Sequence, residues 1–203
     1  MDSEEALRSQ SPTSSVPSEA SARVSSFSSA HHMHHHGTMS KLPNPPTLVK
    51  WEGMRFVIMD APSDGNIDLY LRELKKHGVT EIVRVCDPTY SRERVEQQGI
   101  RVHEMLFPDG DAPPDSIVSA WMTLVETTFK EGSHDAIAVH CVAGLGRAPV
   151  LVAIALIEAG MSPLDAVSFL RERRRGAINN KQLRYLESYR RRSSSGSQRC
   201  AVM

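Results

Sequence analysis

The sequence predicts an α/β domain with a central, mostly parallel, twisted sheet flanked by helices. Short apolar runs that favour strands alternate with longer segments that favour helices, as in parallel sheets covered on both faces. One apolar run, Ala136 to Val139, leads through a loop with two glycines into a helix that begins near Ala148 and Pro149 and is almost wholly apolar over 150–159. Because open α/β sheets bind ligands at the carboxyl ends of their strands, this loop is the candidate functional site.

The individual elements are predicted from hydrophobic periodicity and from residues that start or stop them. Prolines from Pro43 to Pro46 predict an extended approach to the domain. Strands are predicted at 55–59, 81–85, 101–106 and 136–139. Helices are predicted at 68–77, 91–98, 115–130, 150–159, 163–176 and 181–191. Ser162 and Pro163 illustrate a start signal, because serine caps a helix and proline fits its first turn.

Composition indicates one globular domain with two tails. The chain has 203 residues, of which 40% are hydrophobic. We expect a disordered, Ser- and His-rich extension at 1–42, the domain at 43–190 and a basic tail at 191–203. The histidine cluster within 31–36 fits a metal site, a low-complexity tract or an artificial addition, and we assign no metal to it.

The lack of a membrane span or secretory signal, together with the cysteine usage, predicts a location inside the cell. No apolar run approaches the length of a membrane span, and the acidic, Ser-rich N-terminus is unlike a secretory signal. Three cysteines, an odd number in a chain without such a signal, favour a reducing compartment.

The formal net charge of zero hides a basic C-terminal region. From Arg171 to the end, ten Lys and Arg against two Glu give +8, whereas residues 1–40 carry four acids and two Arg, a net of −2. Arg173 to Arg175 either extend the basic surface or form a solvated helix end. Nucleic acid is not favoured as a partner, because the only aromatic residues in this region, Tyr185 and Tyr189, fall at helical spacing.

The loop from His140 to Arg147 has the residue types that phosphate chemistry requires. Gly144 and Gly146 allow successive backbone N–H groups to turn inward into an anion nest, and the start of a helix adds partial positive charge. Arg147 lies six positions after Cys141, and its planar guanidinium can hold two oxygens of one phosphate. A thiolate at the floor of such a nest is a nucleophile for phosphoryl transfer.

The stretch from His140 to Ala153, His-Cys-Val-Ala-Gly-Leu-Gly-Arg-Ala-Pro-Val-Leu-Val-Ala, resembles the phosphate loop of the phosphatases of regenerating liver, the PRL family. The similarity runs from about Leu48 to Tyr189 and includes Ile-Val-Arg-Val-Cys at 82–86. The resemblance implies a dual-specificity-phosphatase-like fold and protein tyrosine phosphatase activity, with dual specificity as an open extension and with neither cofactor nor metal. It implies that Cys141 is the nucleophile. It assigns phosphate binding to Val142, Ala143, Gly144, Leu145, Gly146 and Arg147.

An acid that protonates the leaving group is expected in the Asp- and Pro-rich loop before the helix at 115–130. Asp109 and Asp111 are the candidates, and a merely solvated turn is the other interpretation. The family pattern Trp-Pro-Phe-Asp-Asp-Gly-Ala-Pro-Pro compares with Met-Leu-Phe-Pro-Asp-Gly-Asp-Ala-Pro-Pro from Met105. Alignment on Phe107 and Gly110 favours Asp109 as the acid and makes Asp111 a one-residue insertion. Because the loop departs from the family pattern, both residues stay open as the acid.

Two further residues gain roles from the resemblance. The residues alone favour Cys86 as a buried core cysteine, whereas the family has at this position a cysteine that forms a reversible disulfide with the nucleophile, here Cys141. Ala148 stands where relatives outside the PRL family carry Ser or Thr, whose hydroxyl assists hydrolysis of phosphocysteine. Because a methyl group cannot form this hydrogen bond, we expect slow turnover.

The C-terminal Cys200-Ala-Val-Met is a prenylation box of the farnesyl type. Arg190 to Arg192 and Arg199 lie upstream, and a lipid chain combined with a polybasic segment gives a stable anchor on an anionic membrane. We therefore expect the farnesylated chain at the cytoplasmic face of the plasma membrane or of endosomes, and the unprenylated chain in the cytoplasm.

Two functions of different classes follow. The first is a membrane-anchored phosphatase for phosphotyrosine proteins, with phosphoserine, phosphothreonine and phosphoinositides as further substrate classes. The second, which the resemblance implies, is a pseudophosphatase-like binding module for cyclin M-type magnesium transporters, in which a partner's carboxylate occupies the anion nest. PRL relatives form trimers at membranes, but no heptad or apolar stripe in this chain predicts a homo-oligomer.

Overall fold

The computed structural model describes residues 42–130 and 133–192. Within these ranges, strands and helices follow one another much as the sequence predicts. In chain order they are β1 (Thr47–Trp51), β2 (Met54–Met59), α1 (Ile67–Lys76), β3 (Val79–Arg84), α2 (Arg92–Glu96), β4 (Arg101–Glu104), α3 (Asp115–Thr128), β5 (Ala136–His140), α4 (Arg147–Glu158), α5 (Pro163–Arg173) and α6 (Asn180–Ser188).

The five strands form one sheet in the order β1-β2-β5-β3-β4. β1 runs antiparallel to β2, and the other neighbours are parallel, so the predicted mostly parallel sheet is confirmed. β5 is central and all its residues are buried, because helices cover both faces of the sheet. The loop that leaves β5 therefore lies in the middle of the carboxyl edge.

Two apolar clusters lie on opposite faces of the sheet. One is built mainly around α4, in which every residue from Arg147 to Ile157 is buried. The predicted central helix is thus confirmed. Burial of each large aliphatic side chain contributes about 1.5–3 kcal/mol, so α4 anchors the C-terminal end of the candidate loop firmly.

The structure differs from the sequence prediction at one strand near the site. β1 was predicted only as an extended approach, because a short edge strand close to several prolines gives little periodic signal. α4 begins at Arg147, one residue before the predicted start near Ala148 and Pro149. Pro149 is compatible with this earlier start, since the first N–H groups of a helix need no intrahelical partner.

Several predictions concern residues outside the described ranges. They include the His-rich extension and the tail with Cys200. Among residues 42–130 and 133–192, no helix has the length and apolarity needed to cross a bilayer.

Candidate active site

The loop between β5 and α4 has its carbonyl groups turned outward. Four consecutive carbonyl oxygens accept hydrogen bonds from groups outside the loop, at 2.7 to 3.1 Å. The oxygens belong to Val142, Ala143, Gly144 and Leu145, and the donors are the N–H groups of Ala61 and Ile178 and the side chain of Arg174. With its carbonyls held in this way, the loop has its N–H groups available for an anion at its centre.

Position 144 of the loop accepts only glycine. Its φ is +65°, and a Cβ there would lie 2.4 Å from the carbonyl oxygen of Met59 and 2.6 Å from Nη2 of Arg174. Gly146, the other glycine singled out by the sequence, is the N-cap of α4, and a Cβ there would lie 3.2 Å from Nε2 of Gln182. Close approach of neighbouring groups therefore requires glycine at 144 and constrains position 146.

Arg147 is fixed by backbone carbonyls at the edge of the sheet. Its Nη1 donates to the carbonyl oxygens of Val85 (3.1 Å) and Phe107 (3.2 Å). Its buried Nε has no hydrogen bond, although it lies 3.0 Å from Oδ1 of Asp109 in an ion pair. Nη1 thus holds the guanidinium in place by two bonds, whereas Nε faces the Asp109 carboxylate without forming a hydrogen bond to it, so an incoming anion can compete for this N–H.

The structure brings Asp109, and not Asp111, to the loop. The Asp109 side chain is 76% exposed and its carboxylate faces Arg147. Asp111 instead forms an ion pair with Lys181 at the start of α6. A cavity of about 280 Å³ is lined by Asp109, Cys141 and the loop. The geometry therefore favours the alignment in which Asp109 matches the acid and Asp111 is the insertion.

Cys86 and Cys141 follow neighbouring parallel strands. The N–H of Val85 donates to the carbonyl oxygen of His140 at 3.0 Å, which extends the pairing of β3 and β5 to the residues immediately before the two cysteines. Both thiols are buried and free. Burial raises the pKa of Cys86, against the positive charge of Arg147. Cys86 is therefore both the buried cysteine that the residues predict and a neighbour of the loop.

A buried polar contact below the loop has no signal in the sequence. His140 Nε2 lies 2.8 Å from the Tyr90 hydroxyl, and its Nδ1 lies 3.9 Å from Sγ of Cys86. Burial lowers the pKa of His140 to about 3, so the imidazole is neutral at physiological pH. Tyr90 is distant in sequence and lies in a loop, where no periodicity marks a buried partner.

Arg174 and Ala148 complete the surroundings of the loop. Arg174 lies at the end of α5, where the sequence suggested basic surface or a solvated helix end, but it is half-buried against the loop. The methyl group of Ala148 is fully buried in the first turn of α4.

The comparisons with known proteins agree with this geometry. A family model described as "Polymorphic toxin system, DSP-PTPase phosphatase" matches residues 57–161. The protein named "Probable protein tyrosine phosphatase type IVA A" of Dictyostelium discoideum is 53% identical over 82% of this chain and 99% of its own length. The PRL-1 phosphatase of Drosophila melanogaster is 49% identical over 71% of this chain and 82% of its own length.

A solved structure gives the same result for the fold. The structure described as "Protein Tyrosine Phosphatase (putative) from Leishmania major" superimposes with a TM-score of 0.66 and 40% identity, over 72% of this chain and 99% of that chain. Fold, loop and matches together define a protein tyrosine phosphatase with the dual-specificity-like fold. The chain belongs to the type IVA family, the phosphatases of regenerating liver.

Proposed function

We propose that this protein tyrosine phosphatase hydrolyses phosphate esters through a phosphocysteine intermediate on Cys141. The observation that carries the proposal is the loop around Cys141, in which four consecutive carbonyls, from Val142 to Leu145, are bonded to groups outside the loop and whose open side is bordered by Arg147 and Asp109. Such a loop binds and stabilises the equatorial oxygens of a transferring phosphoryl group.

In the first step, Sγ of Cys141 attacks phosphorus, and the P–S bond forms as the P–O bond of the ester breaks. Arg147 and the loop N–H groups hold the equatorial oxygens, and the carboxyl proton of Asp109 passes to the leaving oxygen. In the second step, water attacks phosphorus and gives a proton to Asp109. The P–S bond breaks, which returns the thiolate and releases inorganic phosphate.

The surroundings of the loop support phosphotyrosine in proteins as the principal substrate class. Leu106, Val142 and Leu145 have exposed fractions of 42%, 64% and 37% and line the cavities at the loop. An apolar rim around an anion site suits an aromatic ring and the protein surface next to it. Phosphoserine, phosphothreonine and phosphoinositides stay expectations from the sequence.

Turnover is proposed to be slow because Ala148 offers the attacking water no hydrogen bond. Ala148→Ser is expected to raise the rate of phosphocysteine hydrolysis by about tenfold, since a positioned polar group contributes at least this much in many enzymes. The measurement is the decay of the intermediate in a single turnover. An unchanged decay rate in a folded Ala148→Ser variant would remove this explanation.

Oxidation is proposed to link Cys86 to Cys141 and to switch off the site. The supporting observation is that the two buried thiols follow the paired ends of β3 and β5. After mild peroxide treatment, non-reducing mass spectrometry is expected to show the linked peptides, and reductant is expected to restore activity. In the matched Cys86→Ser variant, Cys141 is expected to become irreversibly over-oxidised. Over-oxidation of Cys141 in the unaltered chain, without a linked peptide, would refute the proposal.

Farnesylation of Cys200 is proposed to anchor the chain to the cytoplasmic face of the plasma membrane or of endosomes. The support is the prenylation box together with the basic residues before it, since the two signals together give stable binding. In flotation experiments, the farnesylated chain is expected to bind vesicles that contain anionic lipid, and the Cys200→Ser chain is expected to remain unbound. Equal flotation of both chains would contradict the proposal.

The binding module for cyclin M-type magnesium transporters is the competing hypothesis. The comparisons do not favour it, because the relatives that match most of this chain are named as phosphatases.

A further inference from the structure

One side chain supplies half of the outward hydrogen bonds of the phosphate loop. Arg174 Nε donates to the carbonyl oxygen of Gly144 at 2.7 Å, and its Nη2 donates to that of Ala143 at 3.1 Å. The third nitrogen, Nη1, donates to Oγ1 of Thr47 in β1 at 3.1 Å. All three nitrogens of this guanidinium are therefore engaged, two of them with the loop.

We propose that Arg174 is a positioning residue that holds the loop in its anion-binding conformation. The two carbonyls that it binds are successive, so their outward direction is set by a single rigid group. Without these bonds, the peptides could rotate and point a carbonyl dipole toward the bound phosphate. A carbonyl oxygen near phosphate repels it, whereas an N–H attracts it.

The connection from α5 to α6 supports this role, because it binds a third carbonyl of the loop, that of Leu145. Ile178 donates its N–H to the carbonyl oxygen of Leu145 at 2.7 Å, although its φ of +65° is unfavourable for a β-branched residue. Arg171 holds this conformation, with Nη2 2.8 Å from the carbonyl oxygen of Ile178. The backbone of Ile178 keeps this strained conformation, and in it the N–H of Ile178 binds the Leu145 carbonyl of the phosphate loop.

The inference deepens the proposed function and rests on it in one respect, that the loop binds phosphate. Two variants separate the geometry of Arg174 from its charge. Arg174→Lys keeps the positive charge but replaces the planar fork with a point donor, whereas Arg174→Met removes both. Arg173→Met is the matched control, because Arg173 is adjacent and stacks on Phe169, and its Nη1 donates to the Phe169 carbonyl within α5.

The test measures binding of orthovanadate under reducing conditions, together with the pH dependence of Cys141 alkylation by iodoacetamide. We expect both Arg174 variants to bind vanadate roughly 10- to 100-fold more weakly, which is less than the roughly 10²- to 10³-fold loss in kcat for removing one oriented donor, because the loop N–H groups are misdirected but still present. Arg174→Lys is expected to keep the alkylation profile close to that of the unaltered chain, and Arg174→Met is expected to shift it toward higher pH. Arg173→Met is expected to bind vanadate within about twofold of the unaltered chain.

The outcomes distinguish a failure of the proposed function, that the loop binds phosphate, from a failure of the inference that Arg174 positions the loop. Absence of vanadate binding by the unaltered chain would overturn the proposed function itself. Vanadate binding by the unaltered chain and, within twofold, by folded Arg174→Lys would overturn only the inference about Arg174. If Arg174→Met does not fold, Thr47→Val takes its place. Because that variant removes only the oxygen that orients Nη1, a loss of vanadate affinity supports the inference, and no loss contradicts it.

Discussion

Asp109→Asn is expected to lower kcat/KM for a phosphotyrosine peptide by about 10²- to 10⁴-fold, the usual contribution of a general acid. The carboxylate of Asp109 faces Arg147 at the open side of the phosphate loop, where it can reach the leaving oxygen. An amide has the same shape but cannot give up a proton. The loss should be smaller for p-nitrophenyl phosphate, because its leaving group needs little protonation.

Asp111→Asn is the matched control, two positions further along the same loop. It breaks an exposed ion pair with Lys181, and such pairs contribute only about 0–1 kcal/mol. We therefore expect a change in kcat/KM of less than about threefold. A large loss in Asp111→Asn with little loss in Asp109→Asn would transfer the acid role to Asp111, the alternative that the sequence left open.

Gly144→Ala is expected to abolish measurable binding of vanadate and to destabilise the fold. A Cβ would meet the Met59 carbonyl oxygen at 2.4 Å, and the backbone at both positions would have to move. The free energy of unfolding is expected to fall by about 1–2 kcal/mol for the left-handed conformation and by a further 1–3 kcal/mol for the overlap. Urea unfolding measures the stability, and vanadate titration measures the site.

Gly99→Ala separates these two costs. Gly99 also has a positive φ, +78°, but no atom lies within 4 Å of the Cβ position. The free energy of unfolding of Gly99→Ala should fall by only about 1–2 kcal/mol for the left-handed conformation, and this variant should keep full activity. Equal losses of stability in the two variants, with vanadate binding intact in Gly144→Ala, would show that the close approach to Met59 is not required.

Much of the fold was predictable because its signals are local. The buried run of β5, the glycines of the loop and the apolar length of α4 are contiguous in sequence, and they specify strand, nest and helix directly. The residues alone also predicted that Cys86 is buried, as it is, whereas only the family resemblance implied its role beside Cys141.

The remaining features depend on contacts between distant segments. Arg174 and Tyr90 reach the loop from 30 and 50 residues away in sequence, and a run of arginines or a loop tyrosine looks the same whether it is solvated or buried. The choice between Asp109 and Asp111 likewise depends on Lys181 and Arg147, which lie in two different helices. Tertiary packing, rather than propensity, decides these positions.

The most direct test of the account is a single turnover of p-nitrophenyl phosphate with the reduced chain in excess, followed by acid trapping. The account predicts rapid release of p-nitrophenol, phosphate covalently attached to Cys141 in the trapped protein, and slower release of inorganic phosphate. Release of both products at the same rate, with no phosphocysteine at Cys141, would contradict it.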